Sequence, residues 1–460
     1  MSLGPAVGAR HASPYGYNAC GAGCSDSGAQ LKARAGNVFY GWRIVAAGFV
    51  NQAIAAALIQ RSFGAYAVLL RDEFGWSKTA IAGAFSLQQV ENGILGPVQG
   101  WLIDRFGPRL SLRIGVILFG LGFIAFSQIN SLIGFYVAYL LIAVGASLGG
   151  YFPFTVVIVN WFERRRSRAL SIMQTGGAIG GLLVVGVAFA LETWGWRSTA
   201  LVSGIIVILA GLPMAQVARQ RPEDMGLRAD GEPPETEGPG GIGAEARRAQ
   251  AGGDFTLRQA VRTPAFWLIS LGHGSSLLIV SAVSVHLVLH LEEDLGYSLA
   301  LASLAVTVIQ AGQIGGTLLG GFIGDKYDKR KLAFICMAAH TLALLLVAYA
   351  TNAAMVFAFA VLHGAAWGLR GPLMGAIRAD YFGRTSYGAI LGTSSLITMF
   401  GSIIGPIVAG VLADQTGNYE LGFTLLAVFA GMGSVFFLLA KRPSLPAPES
   451  EAMAVETSLG

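Results

Sequence analysis

A chain of 460 residues with 54% hydrophobic and only 12% charged residues cannot cover a water-soluble globule of that size, whose charged fraction would be about a quarter. Its net charge of +5 could suggest a nucleic-acid partner, but the basic residues sit in loops between apolar runs, which excludes that reading. Three cysteines make no disulfide framework, and no HExxH or GxxxxGK[ST] string is present, so no metal, no cofactor and no enzyme chemistry is expected.

Residues 1–37 lack an apolar core of the signal-peptide type and read as a disordered cytoplasmic tail. Cys20 and Cys24 lie in it, with no further ligands nearby to complete a metal site. Twelve runs are then long and apolar enough to cross a bilayer, which takes about 20 residues. They cover 42–70, 79–102, 110–128, 132–159, 169–191 and 198–217, then 265–290, 298–323, 332–350, 353–377, 386–412 and 420–440. The Gly-, Pro-, Arg- and Glu-rich stretch 218–262 reads as a cytoplasmic linker between a bundle at 38–217 and a second at 263–442. Residues 443–460 form a C-terminal tail. With the N-terminus inside, 26 of the 31 Lys and Arg fall on cytoplasmic segments or, as Arg43 and Arg113 do, at the cytoplasmic ends of spans, three (Arg71, Lys78, Arg197) fall outside, and Arg61 and Arg370 lie deep within spans.

The two halves repeat at a nearly constant offset. GWLIDRFGPR at 100–109 matches GFIGDKYDKR at 321–330, NWFERR at 160–165 matches DYFGRT at 380–385, and Pro153 matches Pro372. Parallel halves of six spans are one transporter architecture. Gly100, Asp104, Arg105, Gly107 and Arg109 together resemble the signature loop of the major facilitator superfamily, with Asp325, Lys326 and Arg330 as its second copy after the eighth span. The resemblance covers roughly residues 38–442 and implies an all-α membrane protein of twelve helices in two pseudo-symmetric bundles. It also implies that this loop is a conformational gate, in which Asp104 meets the positive end of a helix dipole. YGWRIVAAGF, SFGAY, FGWS, NWFERRRSRAL and RPEDMGL are similar to the bacterial branch of monocarboxylate transporters and oxalate/formate antiporters. That branch implies a small organic anion, a monocarboxylate first of all, moved by alternating access with proton symport or anion exchange. It further implies a monomer in the cell's inner membrane, with both termini cytoplasmic. Members of the branch carry basic residues in the eighth or eleventh span; this chain has no charge in 298–323 or 386–412, so their substrate residues do not transfer.

The charges inside the spans therefore carry the site. Arg370 lies about 26 Å from the outer end of the tenth span and about 12 Å from its inner end. Gly371 and Pro372 follow it and favour a kink. His363, Trp367 and Arg370 recur at i, i+4 and i+7 on one face, which suits a carboxylate with an organic body. Arg61 lies about 13 Å and Glu91 about 18 Å below the outer face. They either form a structural salt bridge, or Arg61 is a second anchor for the anion that Glu91 releases on taking a proton. Gln88, Gln89, Asn92, Gln310 and Gln313 either line the cavity or join helices, while His273, His286 and His290 are expected to join helices. GSIIGPIVAG at 401–410 resembles the Gly-Pro motif of drug antiporters, which leaves an exporter of hydrophobic compounds as the rival. A non-transporting membrane sensor or assembly factor is the alternative from another class.

Overall fold

The computed structural model describes residues 38–231 and 254–444, with the side chains of 78, 79, 82, 85, 86 and 89 left aside. Both tails, with Cys20 and Cys24, and the centre of the linker lie outside the described residues, as does the side chain of Gln89. The described chain from Tyr40 onward is helical throughout, as a bilayer requires, because only a helix or a closed barrel satisfies its backbone internally.

The first span is Tyr40–Ala55, a π-helical turn at Ala56–Gln60, and Phe63–Phe74. The second is Lys78–Phe106 and the third Pro108–Phe126. The fourth is Leu132–Leu148 followed, after a break at Gly149 and Gly150, by Tyr151–Trp161. Arg166–Val217 holds the fifth and sixth, separated at Gly195, whose φ of 74° a residue with a Cβ would resist. The seventh is Pro264–Leu289 with a π turn at His290–Asp294; the eighth is Leu299–Gly324, the ninth Lys329–Ala348 and the tenth Ala353–Phe382. Tyr387–Thr416 and Glu420–Leu439 complete the twelve. Serine, threonine or asparagine caps start several of these helices: Ser77, Ser131, Thr263, Ser298 and Asn352 each accept an N–H from the first turn. Among the described residues, hydropathy and length alone pick out ten helices, because the fifth and sixth run together and the second, with Lys78, Glu91, Asp104 and Arg105, is too polar. The linker is not featureless at its described ends: short 3-10 turns at Glu223–Met225 and Ala229–Gly231 lie before residue 232, and a helical turn at Leu257–Val261 lies after residue 253.

The bundles meet along two seams, the second span against the eleventh and the fifth against the eighth. Both seams are narrow at their cytoplasmic ends because small residues face each other. A Cβ built on Gly100 would fall 2.2 Å from the carbonyl oxygen of Gly388, so the two backbones approach closely only without side chains. Gly321 and Gly324 take the same part against Ser171 and Ser167 on the other seam.

Candidate functional site

The cytoplasmic ends of the seams carry a pair of latches. Asp104 accepts the backbone N–H of Gly388 at 3.0 Å and that of Ala389 at 2.7 Å, at the start of the eleventh span. Asp325 accepts those of Ser167 at 2.8 Å and Arg168 at 3.3 Å, at the start of the fifth. Each carboxylate thus fills the unpaired first N–H groups and the positive dipole end of a helix in the opposite bundle. Arg166 adds a 2.5 Å contact to Asp380, which Lys329 also holds at 2.7 Å. Arg384 donates to the Asn160 carbonyl at 2.9 Å and lies 3.5 Å from Glu163. Among the described residues, the hydrogen bonds and ion pairs that join the bundles all lie in this cytoplasmic half, so this conformer is shut on that side.

The other motif residues work within their own bundles. Arg105 lies over Trp101 and Phe106 on the second span. Arg109 donates to the carbonyls of Ala218 and Gln216, capping the sixth span, and Gly107 turns the chain at φ 83°. Arg330 pairs with Asp328 three residues after Asp325, and Lys326 is exposed.

Between the seams lies a cavity of about 300 Å³ lined by both bundles. Its polar walls are Gln52, Gln60, Gln88, Asn92, Gln99, Ser147 and Tyr151 from the first half, and Ser395, Thr398 and Ser402 from the second. Gln88 faces the cavity and also accepts the Tyr139 hydroxyl at 2.9 Å, so both readings of it hold; Gln310 and Gln313 do not line it.

Arg370 is 1% exposed and lies one layer behind this wall. Its guanidinium and that of Arg378 both act electrostatically on the phenol of Tyr151, which faces the cavity and is 40% exposed. Gln174 donates to the Tyr151 hydroxyl at 3.2 Å. Nε and Nη1 of Arg370 are buried without a hydrogen-bond partner, a costly state for a cation. Arg378 corrects the sequence reading, which counted it with the cytoplasmic charges. The tenth helix runs on to Phe382 and buries it, with Nε and Nη2 on the Ser394 hydroxyl, Nη1 on the Met374 carbonyl at 2.7 Å and Nη2 3.0 Å from His273 Nδ1.

The other expectations divide. Arg61 and Glu91 do not pair. Arg61 is exposed at the turn after the π helix, near Gly181, with no ion pair among the described residues. Both carboxylate oxygens of Glu91 are buried without a hydrogen-bond partner. The reason is directional: similar depth on two helices does not aim two side chains at each other. Arg61 instead lies beside the fifth span, its Nε 4.0 Å from where a Cβ on Gly181 would stand, about 10 Å outward of Gln174 along that helix. His363 does not face the cavity. It is fully buried against His340 of the ninth span, with the two Nδ1 atoms 3.2 Å apart. Trp367 packs in the second bundle's core, its ring 6.3 Å from that of His363. His273, His286 and His290 join helices as expected; His286 reaches Tyr419 and the Pro406 carbonyl, and His290 reaches Asp294 and the Val347 carbonyl.

Tyr151, Gln174, Arg378 and His340 are therefore the residues that the sequence did not single out. Tyr151 had one available signal, the Gly149–Gly150 pair that breaks the fourth helix just before it.

The sequence matches the family model of the Major Facilitator Superfamily over residues 46–289 and 269–459. It is 25% identical over 391 residues to the oxalate:formate antiporter of Oxalobacter formigenes, covering 81% of this chain and 86% of that one. It is 26% identical over 403 residues to monocarboxylate transporter 13 of Bos taurus, covering 86% and 88%. Among solved structures, the proton:xylose symporter XylE bound to 6-bromo-6-deoxy-D-glucose covers 87% of this chain and 96% of its own, with a TM-score of 0.68 at 15% identity. That likeness is one of fold.

Proposed function

The chain belongs to the major facilitator superfamily, and from that premise we propose that it carries a small organic anion, a monocarboxylate first of all, across the cell membrane by alternating access. The observation that carries this reading is the buried guanidinium of Arg370, with Nε and Nη1 unpartnered, behind the cavity-lining Tyr151. A carboxylate in the cavity would accept the Tyr151 hydroxyl proton while the two guanidiniums behind it supply positive potential in a medium of low dielectric. Arg61, further out along the glycine-lined face of the fifth span, would draw the anion inward. The cavity's amide and hydroxyl walls and its modest volume suit a solute of a few heavy atoms. The relatives named for oxalate, formate and monocarboxylates agree with that chemistry. In this reading the protein is a monomer, both tails and the linker are cytoplasmic, and the aspartate latches hold the outward-facing state. A proton or a counter-anion drives the cycle, with Glu91 as one candidate proton carrier.

The test is the melting temperature of the purified protein against formate, acetate, lactate and oxalate, for wild type, Arg370→Gln and Tyr151→Phe. A ligand at about a hundred times its Kd stabilises the native state by about 2.7 kcal/mol. A wild-type rise with a carboxylate that both variants lose, while still melting cooperatively, supports the reading. Rises with amphipathic cations alone would replace it with an exporter. Uptake of the binding anion into proteoliposomes then separates a carrier from a sensor.

A further inference from the structure

The ninth and tenth spans bury a second polar cluster that the anion reading does not use. His340 and His363 are both fully buried, their rings 4.8 Å apart and edge-to-face, with the two Nδ1 atoms within hydrogen-bond distance. Both Nε2 atoms are buried without a partner. Two facing Nδ1 atoms bond only if one carries hydrogen and the other does not. The neutral pair therefore has one ring protonated on Nδ1 with a bare Nε2, and one protonated on Nε2 with an accepting Nδ1. A third proton has one place to go, the bare Nε2 of the first ring. The imidazolium so formed already donates its Nδ1–H to the neutral partner, so its charge enters an existing hydrogen bond rather than an apolar void.

The surroundings decide when that proton is welcome. On the ninth span the neighbouring titratable group is the Cys336 thiol, one turn from His340; on the tenth it is Arg370. The eighth span has no ionisable residue between 299 and 324, and the twelfth has none between 421 and 439. The seventh and eleventh spans contribute His273 and Tyr387, which belong to the Arg378 group. The charge that acts on both imidazoles is the guanidinium of Arg370. It lies two turns along the helix from His363, about 10 Å. While unpaired it repels a proton on the pair. A carboxylate in the cavity beside Tyr151 offsets part of that field.

We propose that the His340–His363 pair is the proton site of this transporter, coupled through Arg370 to the anion, so that anion binding draws a proton from water onto a histidine Nε2. The inference rests on the anion reading given above and turns it into a symport. At about 10 Å and an effective dielectric of about 20, the coupling is on the order of tenfold in affinity. It is reciprocal: the anion promotes protonation, and acid tightens the anion by the same factor.

The experiment uses the purified full chain in weakly buffered solution with a pH indicator, titrated with formate, acetate, lactate and oxalate between pH 5 and pH 8. The variants are His340→Asn, His363→Asn and the double change His340→Phe/His363→Leu. The last removes both polar partners together and leaves no buried orphan, so it keeps the fold where a single change does not. The expected result is proton uptake on anion addition to wild type and an anion affinity that rises about tenfold toward acid. Variants would still bind the anion, with no uptake and a flat pH profile. Wild-type proton uptake persisting in the variants would move the proton elsewhere, to Glu91 first, and overturn the inference while leaving the anion reading intact. Anion binding to wild type without proton uptake would overturn it as well. Binding of no carboxylate to wild type would overturn the anion reading itself, and the coupling with it.

Discussion

Replacing Asp104 with Asn should open the cytoplasmic side. The carboxylate accepts two backbone N–H groups of the opposite bundle. The amide keeps one acceptor and turns an NH2 toward the other donor. The loss is one charge-assisted bond, about 1.5–3 kcal/mol, and the favourable interaction of a negative charge with a helix N-terminus, about 0.3–1 kcal/mol. Together this is about 2–4 kcal/mol on the closed state. At 1.4 kcal/mol per factor of ten, the open-to-closed ratio rises between about thirtyfold and several hundredfold. Asp325→Asn, which loses the matching pair at Ser167 and Arg168, should act in the same direction and by a similar factor. The reporter is Ser171→Cys in a Cys20→Ser/Cys24→Ser background. Ser171 is buried in the seam between the fifth and eighth spans and donates to the Thr317 carbonyl, so a maleimide reaches it only when the seam parts. Cys336, also buried, serves as the control for unfolding. In inside-out vesicles the labelling rate should climb with each aspartate change. Rates within twofold of the background for both changes would refute the latch assignment.

Gly100→Ala should raise the same labelling rate with both carboxylates intact, because its Cβ would collide with the Gly388 backbone; overpacking of this kind costs about 1–3 kcal/mol, and an unchanged rate would mean the seam yields freely. Arg378→Met leaves His273 Nδ1 without its partner and takes the charged donor from Ser394, which keeps Ser270, so it should destabilise by about 1–3 kcal/mol and lower the melting temperature in detergent, with Arg378→Lys intermediate; a wild-type melt for Arg378→Met would deny the cluster a structural role. The linker's Asp254 offers a pH test. Burial raises its carboxyl, but hydrogen bonds from Thr385 Oγ1 and from the N–H groups of Arg384 and Thr385, with the Arg384 charge, outweigh that and hold it below the ordinary carboxylate range. A lowered native pKa stabilises the fold above the unfolded value, and the gain is lost as pH falls through the native value. Asp254→Asn should therefore melt below wild type at neutral pH, with the gap closing in strong acid; a gap that persists there would rule out the ionised form as its source.

Much of the architecture is legible along the chain because each determinant is local. Apolar runs of bilayer length, polar caps at Ser77, Ser131 and Ser298, and a basic bias on one set of loops depend on neighbours within a few residues. The repeat of Asp104 and Asp325 likewise carries its own meaning, since a carboxylate at a span's cytoplasmic end finds a helix N-terminus in either half. The interior of the site is another matter. Arg370 stood out as a charge in an apolar run, but its surroundings include Tyr151 from the fourth span and Gln174 from the fifth, which the chain order does not pair with the tenth, and Cys336 and His340 on a face of the ninth that the sequence does not reveal. Arg61 and Glu91 share a depth and nevertheless point apart, because depth follows from residue number while facing depends on helix rotation. Arg378 looked cytoplasmic until the tenth helix was seen to continue past it to Phe382. His363 looked like part of the cavity wall until the ninth span brought His340 against it. Which of two buried polar faces meets water and which meets a partner is set by the rotation and packing of whole helices, a tertiary quantity that no spacing within one span encodes.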